Sequence, residues 1–369
     1  MANRSNDIIL GLDIGTKVIK AVLGRRTSEG WLELLASTEV IQQPEAMHRG
    51  IIANASSVIA SCDKAISILE HSVNARIKNA VLSIGGENIK CTTSKIRFRR
   101  NHPNIPISEL ELSALLEKIR FETGKTAQKN IALELDNPYI EVSLIGSSIT
   151  RVRLDGKDID TPLGYKGSDL YLEFYTSFAP KPQLETLEKV CSSLDLNLLA
   201  TSSTTFASCR AIMGDLSPRD VSTIIIDIGS ECTDIAIIDD YGIRYASTFI
   251  MGSRTIKSDI NIWLEGLILT LTDDIHLDTL PDSITIIGGA SDNSSVEETL
   301  ALSDWYRGLP FDKRPVVSVI DISGLQGIKN PHFVANKPSF TTAIGLLRIA
   351  IDTQVPDTPR TKVRRALSH

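Results

Sequence analysis

The sequence predicts an α/β protein made of two similar half-molecules that face one ligand, and two observations carry that expectation. The stretch STIIIDIGSECTDIAIIDD (222–240) reads as two buried strands joined by a tight acidic turn. Its β-branched runs at 224–226 and 235–238 flank Asp227, Gly229, Ser230, Thr233 and Asp234. A near-copy, IILGLDIGTKVIKAVLG (8–24), carries Asp13, Gly15 and Thr16 in its turn, more than two hundred residues earlier.

Composition narrows the class. A chain of 369 residues suits two or three domains, and 42% hydrophobic with 23% charged residues is ordinary for a globular protein with sizeable cores. A net charge of −6 gives no bulk attraction for nucleic acid or an anionic membrane. Five scattered cysteines without C-x-x-C spacing argue against a zinc site and a disulfide framework and fit a reducing cytosol. MANRSND at the start has no apolar signal core, and no run approaches the ~20 apolar residues of a membrane span. The expectation is a soluble intracellular protein.

Along the chain, 8–24 reads as strand, turn, strand, and 31–41 as a further strand, with a loop at 44–50. From 53 to 73 the apolar residues Val58, Ile59, Cys62, Ala65, Ile66 and Leu69 recur at helical spacing. A short strand at 79–84 ends in Gly85 and Gly86. The basic, alternating 88–100 then opens a block of different texture. In it Ser108 and Glu111 form a capping-box pattern, strands are expected at 132–135, 139–144 and 148–154, and turn-rich DGKDIDTPLGYKG (155–167) closes it. This β-α-β-β block reads as a small insertion with its own core. A strand at 170–178 should return the chain to the main body. Helices follow at 182–194 and 200–213, and a boundary at 218–220. A third strand is expected at 243–249, one or two helices within 258–275, strands at 283–287 and 316–320, and a last apolar helix at 340–351.

Two turns carry the chemistry. Asp13-Ile14-Gly15-Thr16 and Asp227-Ile228-Gly229-Ser230 each combine a carboxylate with backbone N–H groups that glycine leaves accessible to phosphate oxygens. The paired carboxylates would hold water around Mg²⁺ or orient an attacking water, and Lys17 and Lys20 would neutralise phosphate charge. Gly288, Gly289 and Ala290, after a buried strand, would leave room for an adenosine. Trp263 and Trp305 are expected to pack in cores. Six dispersed histidines form no H-x-x-H pattern, and no metal site is proposed.

These stretches resemble a family. LDIGTKVIKAVLG, IIIDIGSECTDIAI and ITIIGGA look like the first phosphate, second phosphate and adenosine motifs of the actin-like, Hsp70-like ATPase superfamily. AVLSIGGENIKC (80–91), the D-G-x-x-I-x-x-P-L-G-x-x-G run (155–167), SDI (258–260) and TTAIGLLR (341–348) add a likeness to the bacterial cell-division protein FtsA. The resemblance implies an actin-like, ribonuclease H-like two-lobed fold with an FtsA-type inserted subdomain. The first lobe would comprise 1–84, 168–210 and 341–369, the insertion 85–167, and the second lobe 211–340. It also implies ATP with Mg²⁺ as ligand, hydrolysed slowly at most, self-association into filaments, and a role linking FtsZ or other division proteins to the inner face of the cell membrane.

Three features depart from that pattern. Glu231 and Cys232 stand where the second phosphate motif resembles a third glycine and a threonine, and a carboxylate there is expected to repel a γ-phosphate. Only 28 residues (260–287) separate Asp259 from Gly288, where FtsA places a whole subdomain, so the second lobe should be reduced. The last residues, DTQVPDTPRTKVRRALSH, make a marginal amphipathic membrane anchor. Two rivals stay open: a component like PilM of the type IV pilus platform, and a degenerate adaptor that binds no nucleotide.

Overall fold

The computed structural model describes residues 8–214, 221–239, 242–273, 277–291, 293–330 and 334–354. The expected boundary at 218–220 and the C-terminal tail lie outside the described residues.

The first lobe begins with β1 (Ile9–Ile14), β2 (Val18–Arg26) and β3 (Leu32–Ile41), then the small hairpin β4 (Met47–His48) and β5 (Ile51–Ile52). Helix α1 (Ala55–Val73) and strand β6 (Asn79–Ile84) follow. The next block comprises β7 (Lys90–Arg99), α2 (Glu109–Glu134), β8 (Val142–Leu154), β9 (Lys157–Asp158) and β10 (Asp169–Pro180). After it come α3 (Lys181–Ser193), β11 (Asn197–Ser203) and α4 (Thr204–Met213). The second lobe holds β12 (Thr223–Ile228), β13 (Thr233–Asp239), β14 (Gly242–Phe249), α5 (Ser253–Ser258), α6 (Ile260–Asp273), β15 (Ser283–Ile287), α7 (Ser294–Leu302) and β16 (Val316–Val319). The chain then returns through β17 (Ile328–Lys329) to α8 (Thr341–Gln354) against the first lobe.

The two lobes are built on one plan. In the first, β1 pairs antiparallel with β2 and β2 with β3, while β6 and then β11 add in parallel on the other side of β1. In the second, β12, β13 and β14 repeat the antiparallel part, and β15 and then β16 repeat the parallel part. β1 and β12 are central strands covered on both faces, which is why both read as nearly unbroken apolar runs. Across the turns, Ile14 faces Ile19 and Ile228 faces Thr233, so residues 15–18 and 229–232 are equivalent.

Helices α4 and α8 join the lobes. On one side Ala207 and Ala211 of α4 and Ala343, Ile344 and Leu347 of α8 pack against Ile9 and Val22. On the other, Phe206, Cys209 and Met213 of α4 pack against Ile225, Ala236 and Ile238 of the second sheet. The crossing is close: a Cβ on Gly345 would lie 1.8 Å from the Ala207 carbonyl oxygen, and one on Gly11 of β1 would lie 2.3 Å from that of Ala343.

The inserted block has its own four-stranded sheet, ordered β7-β10-β8-β9, and a core in which Leu112, Leu116 and Ile119 of α2 cover Val152, Leu172 and Phe174. β10 is a central strand of this sheet. Its Glu173, 1% exposed, accepts a hydrogen bond from the Tyr171 hydroxyl and pairs with Arg244 of β14, and Tyr175 stacks on Phe206 of α4.

Several local expectations are corrected. Residues 132–134 are the last turn of α2, not a strand: the helix capped by Ser108 runs unbroken past buried Ala127 and Ile131, and ALE favours helix. The strands expected at 139–144 and 148–154 are one long strand, β8, interrupted only by two register shifts against β10. Residues 200–203 close β11. The helix starts at Thr204 because the Ser203 hydroxyl caps it by accepting the Phe206 N–H. The loop expected at 44–50 contains the β4–β5 hairpin.

Gly345→Ala should lower stability by about 1–3 kcal/mol, since the added methyl meets backbone rather than a side chain that can move. Urea unfolding of the variant checks this. An unchanged midpoint would mean that α4 and α8 separate at little cost.

Candidate functional site

Between the lobes lies a cleft of ≈ 750 Å³, formed where the two equivalent turns face each other. Asp13, Gly15, Thr16, Lys17 and Lys20 line it from the first lobe, and Asp227, Gly229, Ser230, Asp234, Gly289 and Ala290 from the second. Strand register sets the two floors apart. Asp13 at the end of β1 faces Lys20 on β2, whereas Asp227 at the end of β12 faces a second carboxylate, Asp234 on β13.

Asp13 is 4% exposed and fully engaged. One oxygen pairs with Lys20 Nζ at 3.0 Å and the other accepts the Ser83 hydroxyl at 2.7 Å. Burial of Lys20 works against its charge, but Asp13, Asp227 and Glu39 outweigh that and hold its pKa above the ordinary value. Among the described residues, Asp227 has the Thr342 hydroxyl, at 3.2 Å, as its direct side-chain donor. Burial and the neighbouring carboxylates of Asp234 and Asp13 push its pKa up to about 7. Burial also raises that of Asp234, although the hydroxyls of Thr204 and Thr248 donate to it.

The turns are braced from outside. Gln42 donates its side-chain amide to the Gly15 carbonyl at 2.8 Å, and its backbone N–H to that of Lys17. In the second lobe the N–H groups of Ser253 and Arg254, which start α5, donate to the carbonyls of Gly229 and Ser230. A Cβ on Gly15 would lie 3.1 Å from Lys20 Nζ, so glycine keeps that ammonium free to face the cleft. The Ser230 hydroxyl is buried without a hydrogen-bond partner.

No family model matches the chain. FtsA of Pseudomonas aeruginosa is 22% identical over 258 residues, covering 70% of this chain and 57% of that protein. FtsA of Helicobacter pylori strain 26695 is 21% identical over 271 residues, with 69% and 53% covered. FtsA of Borreliella burgdorferi is 21% identical over 336 residues, with 88% and 73% covered. The chain thus spans little more than half the length of the first two. The structure of a PilM–PilN type IV pilus biogenesis complex superposes with a TM-score of 0.64 at 15% identity, covering 93% of this chain and 98% of that one. This chain is FtsA-like in sequence and actin-like in fold.

Within the cleft, some side chains stand differently from the sequence reading. Gly288, at φ 93°, packs behind Asp227: a Cβ there would lie 2.3 Å from Asp227 Oδ1. Gly289 and Ala290 line the cleft, and nothing lies within 4 Å of where a Gly289 Cβ would stand. Glu231 is not among the lining residues. Its carboxylate turns to the Arg49 N–H at 2.7 Å and to Arg254 rather than into the cleft.

Other lining residues escaped the sequence reading: Glu39, Ser253, Lys257, Asn293, Lys337 and Thr342. Thr342 opens a strongly apolar helix, a place where a hydroxyl is conspicuous, but the others sit in segments without a motif. The lining contains four ammonium groups (Lys17, Lys20, Lys257, Lys337) and four carboxylates (Asp13, Glu39, Asp227, Asp234). Among the described residues no cluster of three acidic, histidine or cysteine side chains could hold a metal ion, and no helix is long and apolar enough to cross a membrane.

The folded-state pKa of Asp227 lies above its ordinary 3.8, so the native protein keeps a proton that the unfolded chain has released between about pH 4 and 7. Stability therefore falls as pH rises through that window. Without nucleotide or divalent cation, Asp227→Asn should melt above the wild type at about pH 8, the gap closing toward about pH 5. Thermal melts at both values check this, and a gap independent of pH would refute it.

Proposed function

We propose that this chain is an FtsA-like scaffold of the division apparatus that binds ATP with Mg²⁺ in its cleft. It self-associates into filaments and holds FtsZ or another division protein near the inner face of the cell membrane. The observation that carries the reading is the opposition of two D-I-G-S/T turns across one cleft, with Asp13, Lys20 and Asp227 at its base. The residues suit the ligand. The turns 15–18 and 229–232 offer glycine-opened backbone, the unpartnered Ser230 hydroxyl lacks only an acceptor, and Lys17 and Lys20 balance phosphate charge. Asp13 and Asp227 would hold the cation through its waters, and the cation would neutralise phosphate charge, a role that needs no preformed protein cage. Gly289 and Ala290 leave open wall for the nucleoside. The division of the chain into lobes at 1–84 with 168–210 and 341–369, an insertion at 85–167 and a second lobe at 211–340 belongs to the same proposal, with β10 serving the sheet of the insertion. Turnover is slow at most.

Calorimetry of the purified protein with Mg-ATP tests this. Micromolar binding is expected, weakened about tenfold or more in Asp227→Ala. No heat at millimolar ATP would overturn the nucleotide reading and leave an actin-fold adaptor that works through protein contacts.

A second reading, a PilM-like platform component, is favoured by the fold match across 98% of the PilM chain. Pull-down with the C-terminal tail of FtsZ against a peptide of PilN separates the two: retention of the PilN peptide alone would move the assignment to pilus assembly.

A further inference from the structure

The geometry points to Glu231 as a latch across the cleft, making between the lobes a contact that a bound phosphate would otherwise have to supply. This deepens the nucleotide reading and rests on it for the part played by the ligand.

The latch is built on the tip of the β4–β5 hairpin. Arg49 (φ 48°) and Gly50 (φ 81°) both take left-handed backbone, which turns two successive N–H groups in different directions. The Gly50 N–H donates to Thr16 Oγ1 in the first phosphate turn at 3.1 Å. The Arg49 N–H donates to Glu231 Oε2 in the second at 2.7 Å. One hairpin tip is therefore gripped by both phosphate turns. Gly50 must be glycine for a further reason: a Cβ there would lie 2.8 Å from the backbone of Gly86.

The Glu231 carboxylate is prepared for this contact. Its side chain is 11% exposed, pairs with Arg254, and has His48 Nδ1 at 3.5 Å. Arg254 is placed by its own N–H, which donates to the Ser230 carbonyl, and by Gly252, where a Cβ would lie 2.7 Å from the Gly229 oxygen and 2.8 Å from the Glu231 nitrogen. The equivalent residue of the first turn, Lys17, lines the cleft, whereas Glu231 reaches out of it. A glycine at 231 would leave the Arg49 N–H and the Arg254 guanidinium without this acceptor. Of the other bonds between lobes, Thr204 to Asp234 and Thr342 to Asp227 start from the N-terminal ends of α4 and α8 and belong to the shared hinge, and Lys337 and Ser339 meet Glu39 on the far wall of the cleft. Glu231 adds a separate point of attachment, so the two turns stay opposed before any ligand arrives.

Amide hydrogen exchange on the full-length, nucleotide-free protein tests the latch without depending on nucleotide. In Glu231→Gly the Arg49 amide should exchange about tenfold faster than in the wild type, the size of one lost charge-assisted hydrogen bond. Glu231→Gln, which keeps an acceptor but not the charge, should fall between. Arg254→Ala, at a mostly exposed side chain, provides a variant that keeps Glu231 and should also speed exchange at Arg49. Equal Arg49 exchange in the wild type and Glu231→Gly, with both melting cooperatively, would overturn the latch. Mg-ATP, bound between the two turns, should raise the melting temperature of Glu231→Gly by more than that of the wild type. Equal shifts on binding would refute the substitution of ligand for latch. A persistent difference between variant and wild type when neither binds Mg-ATP would retain the latch and remove the nucleotide reading instead.

Discussion

The cleft depends on how closely α4 and α8 cross. Backbone touches backbone at Gly345 and Ala207, and α8 lies equally close on β1 at Gly11, so nothing larger than hydrogen fits at either place. That contact sets the spacing of the two sheets, because α4 is packed on both of them. It also delivers two hydroxyls to the second lobe. Thr204 at the start of α4 donates to Asp234, and Thr342 near the start of α8 donates to Asp227 while bonding Ser208 of α4. The helices that hold the lobes together therefore also fix the carboxylates at the cleft base.

Built on one strand plan, the lobes differ in charge. At the cross-strand position opposite the turn carboxylate, the first lobe has Lys20 and the second has Asp234. The first carboxylate is neutralised by its own hairpin. The second is pressed toward its neutral form by burial and by its neighbours, and the charge of Lys20 across the cleft partly relieves it. The third turn position is again opposite in sign, Lys17 against Glu231, and the two side chains go to different places. The difference is local to the two turns: over the whole lining the four ammonium groups and four carboxylates are shared evenly between the halves.

The reduction of the second lobe is visible in the short path from α5 through α6 to β15, where Trp263 and Leu267 of α6 fill the core of the lobe directly. Trp263 is fully buried and donates its indole N–H to the Thr233 hydroxyl, beside the turn at 229–232. The helix that remains is a structural part of the site wall.

The sequence by itself determined the repeated strand-turn-strand units, because alternating burial and turn chemistry are local and leave a local trace in residue order. It determined the capping of α2 by Ser108 and the order of the main strands for the same reason, but not that the strand expected to return the chain to the main body, β10, is central in the sheet of the inserted block. The extent of α2 and the split of 200–213 into strand and helix were less plain, since helix and strand propensities there are weak and tertiary packing chose between them. What only the tertiary structure decided is where side chains point once distant segments meet. Glu39, Lys257 and Lys337 reach the cleft from segments with no motif of their own, and Gly288 serves Asp227 rather than open space. Glu231, read along the chain, is a carboxylate in a phosphate turn. In the folded protein the Arg49 N–H and Arg254 draw it away, because the strongest partners of a charge are those that folding brings within hydrogen-bonding reach.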